Sequence, residues 1–181
     1  MQYIALLRGI NVGGNNKVAM SDLKACFVNA GFQKVSTYIN SGNVIFSSDE
    51  HDTVKLIGTC EEILLQQFEF PISLAIIAAG DLKDALEHAP AWWGEDPDSK
   101  HNAIFVIAPA TAAEIMVEAG QIKPEYEQIH VYQEVIFWSA PLKTFSRTRF
   151  SKIVGTKAYQ YITIRNANTA KKLLQLALTS L

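Results

Sequence analysis

The chain has 181 residues, 49% of them hydrophobic and 19% charged, which is enough apolar material for one large domain or two small ones without a disulfide or metal staple. Sixteen Lys and Arg against eighteen Asp and Glu give a formal charge of -2, so the protein as a whole offers no attraction to a polyanion and any basic site must be local. No stretch combines low hydrophobicity with high net charge, which excludes extended disorder.

Tyr3 to Leu7 is a short apolar run that reads as a buried strand, broken at Arg8-Gly9. The N-terminus opens into MQYIALLRG without a charged region followed by a long apolar one, and export and membrane insertion are not expected. A polar loop follows from Gly9 to Lys17 with three glycines and three asparagines. Ser21 is placed to cap a helix on which Leu23, Phe27 and Ala30 share a face, with Gly31 as terminator. Val35, Thr37 and Ile39 alternate, Asn40-Ser41-Gly42-Asn43 supplies turn chemistry, and Val44-Ile45-Phe46 resumes the strand, which makes a hairpin. Asp52 to Phe68 has helical spacing, Ile72 to Ala78 reads as a strand, and Asp81 to His88 as a short helix.

The order then repeats. Ala103 to Ile107 reads as a strand, Thr111 to Ala119 as a helix, and Ile129 to Gln133 with Val135 to Ser139 as a second hairpin. Lys152 to Tyr159 is expected to form a short helix, and Ile162 to Ile164 the closing strand. Asn168 is expected to cap a last helix reaching Leu178. This is an α+β fold of two tandem ferredoxin-like (βαββαβ) subdomains, each with an extra helix. The expected boundaries are 1–92 and 100–181, joined by an acidic linker around 93–99. The cysteines Cys26 and Cys60 fall in helical segments outside any Cys-x-x-Cys pair and read as reduced packing residues, consistent with a cytoplasmic protein.

Three clusters carry a resemblance: LRGINVGGNN at 6–15 with Met20, TYINSGNVIF at 37–46, and SK at 151–152 with TIRNANT at 163–169. In this order and spacing they resemble the family catalogued as domain of unknown function 1697, over essentially the whole chain. The resemblance implies two subdomains with ferredoxin-like halves and brings no activity. Members often place Trp where Ala167 stands here, so no aromatic role is expected at that position.

The Gly9–Lys17 loop matches neither a dinucleotide fingerprint nor a P-loop. Two readings stay open. Its backbone N–H groups, with Arg8, Asn11, Gly13, Gly14, Asn15 and Lys17, can face an anion. Alternatively, the glycines serve positive φ and the asparagines brace a long connection. In a split β-α-β the first two strands run parallel, so this loop is expected beside Asn40, Ser41 and Asn43. By the same topology Arg147, Arg149, Lys152, Arg165 and Asn166 are expected at one end of the second sheet. There they form either a phosphate or carboxylate site or an ordinary solvated face.

The expected role is therefore binding of a small anionic or phosphate-bearing ligand through strand-end loops. Nucleic-acid binding is the weaker alternative, because Gly42-Asn43-Val44-Ile45 lacks the aromatic pattern of an RNA-binding strand. A scaffold or dimerisation domain is the third. Ser151-Lys152 is not a nucleophile pair, because neighbours on a helix point apart. No residue pattern names a metal, a cofactor or a reaction. Trp92 and Trp93 are expected to pack rather than to stack on a ligand.

Overall fold

In the computed structural model, which describes residues 1–179, the apolar opening run becomes β1 (Gln2–Leu7), whose six residues are all buried. Helix α1 (Met20–Asn29) follows the glycine loop, then the hairpin of β2 (Gln33–Tyr38) and β3 (Asn43–Ser47). Helix α2 (Thr53–Phe68) leads to β4 (Leu74–Ala78), and α3 (Ala79–Glu87) comes next. The first sheet has the order β2-β3-β1-β4, with every neighbouring pair antiparallel. Tyr3, Ala5 and Leu7 of β1 and Val44 and Phe46 of β3 share a core with Leu23 and Phe27 of α1 and Leu56, Cys60 and Leu64 of α2. Alternate strand positions face this core, so both helices lie on one face of the sheet.

Local chemistry places the ends of these elements. Asp52 caps α2 by accepting from the backbone N–H groups of Val54 and Lys55, and Glu69 closes it in the left-handed region at φ 62. Helix α1 corrects the expected cap. It starts at Met20 with Ala19 as its N-cap and no side-chain cap bond, while the Ser21 hydroxyl donates to Asp22. Packing of Met20 and Leu23 on the core sets this start, not a hydroxyl.

The second sheet is built from β5 (Ser99–Val106), β6 (Gln128–Tyr132), β7 (Val135–Pro141) and β8 (Ile162–Asn166), in the antiparallel order β6-β7-β5-β8. Helix α4 (Ala112–Ala119) opens with a reciprocal capping box between Thr111 and Glu114. Helix α5 (Ala167–Thr179) leaves β8 without a loop. Its first turn is therefore capped by Asn166, whose Oδ1 accepts from the Thr169 N–H at 2.8 Å, rather than by Asn168.

The expected helix at 152–159 does not form. Between β7 and β8 the chain makes three 3₁₀ turns, Leu142–Arg147, Phe150–Gly155 and Lys157–Tyr161. Thr148 and Thr156 donate their hydroxyls to the carbonyls of Phe145 and Ile153, both at 2.8 Å, and Ser151 does the same to Thr148 at 3.2 Å. Side chains that bond back three residues in this way tighten each turn and stop an α-helical ladder. The turns still supply Phe150, Ile153 and Ala158 to a core with Ile104, Ile136, Trp138 and Ile162.

The chain divides into two compact units, one of Met1–Lys83 with the segment from Lys172 onward, the other of Asp84–Lys171. These bounds differ from the expected subdomains: the first division falls inside α3, and the Trp92–Lys100 segment belongs to the second unit. The reason is local. Trp93 is buried, donates its Nε1–H to the Asn102 carbonyl at 2.9 Å and meets Phe137 edge-on at 5.0 Å, so the acidic stretch is anchored to the second sheet. Among the described residues, no helix is long and apolar enough to cross a membrane.

Candidate functional site

In the first unit, β1 and β2 are both antiparallel to β3 and so run parallel to each other. The loop after β1 and the turn after β2 leave the same end of the sheet, and they touch. Asn11 donates its Nδ2–H₂ to the carbonyls of Asn40 and Val18, both at 2.9 Å, and its Oδ1 accepts from the Val18 N–H at 2.8 Å. The Leu7 N–H donates to the Gly42 carbonyl at 2.8 Å. Gly42 has φ 77, and a Cβ there would stand 2.6 Å from Ile10 Cδ1 and 2.8 Å from Leu7 Cβ, so only glycine admits this approach.

Arg8, Asn11, Asn40, Ser41 and Asn43 are thus brought to one end of the first sheet, while Gly13, Gly14, Asn15 and Lys17 lie on an exposed lobe beyond it. Like that of Asn11, the side-chain amides of Asn16 and Asn43 are engaged within the protein. Asn16 donates to the Gly9 carbonyl at 3.1 Å, and the fully buried Asn43 donates to the Tyr38 carbonyl at 2.8 Å and to Ser41 Oγ at 3.0 Å. This is the geometry of a braced connection.

In the second unit, β7 and β8 are both antiparallel to β5, so the segments following them converge on its first residues. The arginines expected to cluster there have separate partners. Arg147 lies over the Tyr126 ring at 5.7 Å, and Arg149 donates from Nε to the Ala119 carbonyl at 2.9 Å. Arg165 is buried and donates to Thr163 Oγ1 and the Ile164 carbonyl, and burial lowers its pKa to about 10. Lys152 is exposed on the second 3₁₀ turn.

What does gather at that end is a cavity of about 770 Å³. Its aromatic lining comes from Trp138 on β7, Phe145, Phe150 and Tyr159 on the 3₁₀ turns, and its apolar lining includes Ile153 and Ile164. The Trp138 ring lies 5.1 Å from that of Phe145 and 5.2 Å from that of Phe150. Lys100 and Asn102 enter from β5, Ser151 from the turns, and Asn166 and Asn168 from the start of α5. The Lys100 ammonium stands 4.1 Å from the centroid of the Phe145 ring, a cation over an aromatic face. A half-open cleft of this volume, aromatic in body, with Lys100 and His101 beside Glu95 and Asp96 among its polar groups, has the character of a small-molecule site.

Of the expected residues of this unit, Asn166 lines the cavity, whereas Arg147, Lys152 and Arg165 do not line it. The missed residues are Lys100, Asn102, Ser151 and the aromatic set. Ser99–Asn102 is polar and lies outside the expected strand Ala103–Ile107, yet it continues β5 in register with β7, Lys100 opposite Ala140 and Asn102 opposite Trp138. The signal available was the alternation of Lys100, Asn102 and Ile104 on one face.

The carboxylate most enclosed by the turns is Glu127, 3% exposed. Its Oε1 accepts from the N–H groups of Lys123 and Arg149 at 3.1 and 2.8 Å, and its Oε2 from Trp138 Nε1 and the Phe150 N–H at 3.2 and 3.1 Å. It therefore ties β7 to the 3₁₀ turns that wall the cavity. Among the described residues, no three His, Cys, Asp or Glu side chains gather in a way that could hold a metal ion.

Comparison with known proteins places these observations in a family. The profile of the family described as "Protein of unknown function (DUF1697)" matches residues 1–137. Among solved structures, the conserved bacterial protein SP0830 from Streptococcus pneumoniae is similar, with 31% identity and a TM-score of 0.87 over 97% of this chain and 98% of that one. No curated protein matches the chain.

Proposed function

The chain belongs to the DUF1697 family, and we propose that it binds a small anionic or phosphate-bearing ligand with an aromatic or apolar body at the strand ends of its second unit. The observation that carries this reading is the cavity of about 770 Å³, with Trp138, Phe145 and Phe150 in its lining and Lys100, His101, Asn102, Ser151 and Asn166 among its polar groups, beside the carboxylates of Glu95 and Asp96 at its rim. The aromatic lining contributes dispersion and area, and the amides orient the ligand. Lys100 faces its negative charge. The glycine loop of the first unit has a structural part in this proposal, since Asn11 and Asn16 bond within the loop and Asn11 also bonds to the hairpin. Nucleic-acid binding is less well supported, because the arginines of the second unit have separate internal partners and the net charge is -2.

The same reading takes each unit as a ferredoxin-like half. The first has the order β1-α1-β2-β3-α2-β4 with spatial order β2-β3-β1-β4, and the second repeats the spatial order with 3₁₀ turns in place of its second helix. The buried free thiols of Cys26 and Cys60 support a cytoplasmic setting.

The test is a thermal-shift panel of nucleoside monophosphates, sugar phosphates and aromatic carboxylates, followed by titration calorimetry on any compound that raises the melting temperature. Lys100→Ala is expected to weaken the selected compound by about 10- to 150-fold, the equivalent of a lost charge-assisted hydrogen bond of about 1.5–3 kcal/mol. Unchanged affinity in that variant overturns the assignment.

A further inference from the structure

We propose that Ser139 and His101 form a nucleophile and base pair able to cleave small carboxylic esters, an activity that does not depend on the ligand reading above. The two residues face each other across β5 and β7 in the antiparallel register. Ser139 Oγ lies 2.5 Å from His101 Nδ1, and His101 Nε2 lies 2.7 Å from the carbonyl oxygen of Asp96. A carbonyl oxygen can only accept a hydrogen bond. Nε2 therefore carries the proton of the neutral ring, Nδ1 offers its lone pair, and the serine hydroxyl donates to it.

This is the arrangement of a nucleophile held by a base that a third group orients. The third group is itself fixed. The Asp96 carboxylate accepts from Ser99 Oγ at 2.6 Å and from the Asp98 N–H at 2.9 Å. A second cavity, of about 380 Å³, is lined by both His101 and Ser139. Glu95 and Glu125 also line it and are exposed, so the field at its mouth disfavours anions and selects neutral or cationic esters.

In the step proposed, Ser139 Oγ bonds to the ester carbonyl carbon as its proton passes to His101 Nδ1. The carbon–oxygen bond to the alcohol then breaks, and the alcohol leaves with that proton. Water gives a proton to Nδ1 and adds to the acyl carbon, after which Ser139 Oγ departs and recovers the proton. Ester and water become acid and alcohol, with no oxidant or metal required.

The experiment is labelling of the whole protein with a neutral fluorophosphonate, which forms an Oγ–P bond with loss of fluoride, read by intact mass and peptide mapping. The expected result is one adduct on Ser139, absent in Ser139→Ala and slowed by about 100-fold or more in His101→Gln. Melting curves identify any variant that has lost its fold, and the wild-type labelling site then decides alone. No adduct, an adduct elsewhere, or a folded His101→Gln protein labelled at the wild-type rate overturns the proposal.

Discussion

Glu127 gives the second unit its most consequential single side chain, and replacing it tests how the 3₁₀ segment is held. Four donors converge on its two oxygens, from Lys123, Arg149, Phe150 and Trp138, and the residue is 3% exposed. Glu127→Gln keeps one acceptor oxygen but turns an NH₂ group toward two of the four donors. Each buried donor without an acceptor costs about 1–3 kcal/mol, so the substitution should destabilise by about 2–4 kcal/mol after partial side-chain adjustment. Glu127→Ala removes all four acceptor contacts and should lower stability by about 3–5 kcal/mol, with some recovery from entering water. Urea unfolding followed by tryptophan fluorescence measures the change. Native-state amide exchange should show early loss of protection at Arg149 and Phe150, the two backbone groups bound by the carboxylate in the turns. A loss below about 1 kcal/mol for Glu127→Ala, or unchanged protection at those amides, would refute the reasoning.

Three further outcomes follow from particular contacts. Gly42→Ala should destabilise by about 2–4 kcal/mol, because φ 77 and a 2.6 Å approach to Ile10 both oppose a Cβ; Gly13→Ala, at φ 58 with open space around it, should cost only about 1 kcal/mol, and equal losses would remove the packing argument. Burial pushes the Cys60 thiol up to about 12 and raises that of Cys26, so both should react with a thiol reagent at neutral pH only as the protein unfolds, and fast native labelling would contradict this. The Ser99 hydroxyl, then the Asp98 N–H, hold the Asp96 carboxyl below its usual value. A carboxylate depressed in the folded state adds stability above its unfolded pKa of about 3.9 and loses it as pH falls through the lower folded value, so the melting advantage over Asp96→Asn should shrink in that acid window and be constant at neutral pH.

Much of the first unit was legible because its signals are local and agree with one another. The apolar run at Tyr3–Leu7, the Asn-Ser-Gly-Asn turn and the helical spacing after Asp52 each specify one element, and the parallel course of β1 and β2 brings Asn11 to Asn40 as the topology required. Caps were less legible. Ser21 and Asn168 are good N-cap residues by type, yet core packing at Met20 and the loopless exit from β8 moved both helix starts. A helix over Lys152–Tyr159 does not form because Thr156, compatible with a helix by type, bonds its hydroxyl back to the Ile153 carbonyl, as Thr148 and Ser151 do in the turns just before it.

At the site, residue type misled where burial decides. Arg165 carries a charge in the sequence but is buried beside Thr163 and Ile164, whereas Lys100, at the polar start of β5, reaches the cavity. The cavity's aromatic lining joins β7 to turns that follow it, and no sequence period links Trp138 with Phe150 and Tyr159. His101 and Ser139 are paired only by strand register, which their separation in the chain conceals.

The central claim is tested most directly by a ¹H–¹⁵N titration of the labelled protein with the compound selected from the panel. Saturable shifts are expected at the amides of Lys100, Ser151, Asn166 and Asn168 and at the Trp138 indole, all lining the cavity, and they should be lost in Lys100→Ala. Shifts confined to the Gly9–Lys17 loop, with the cavity residues unmoved, would contradict the account and return the site to the first unit.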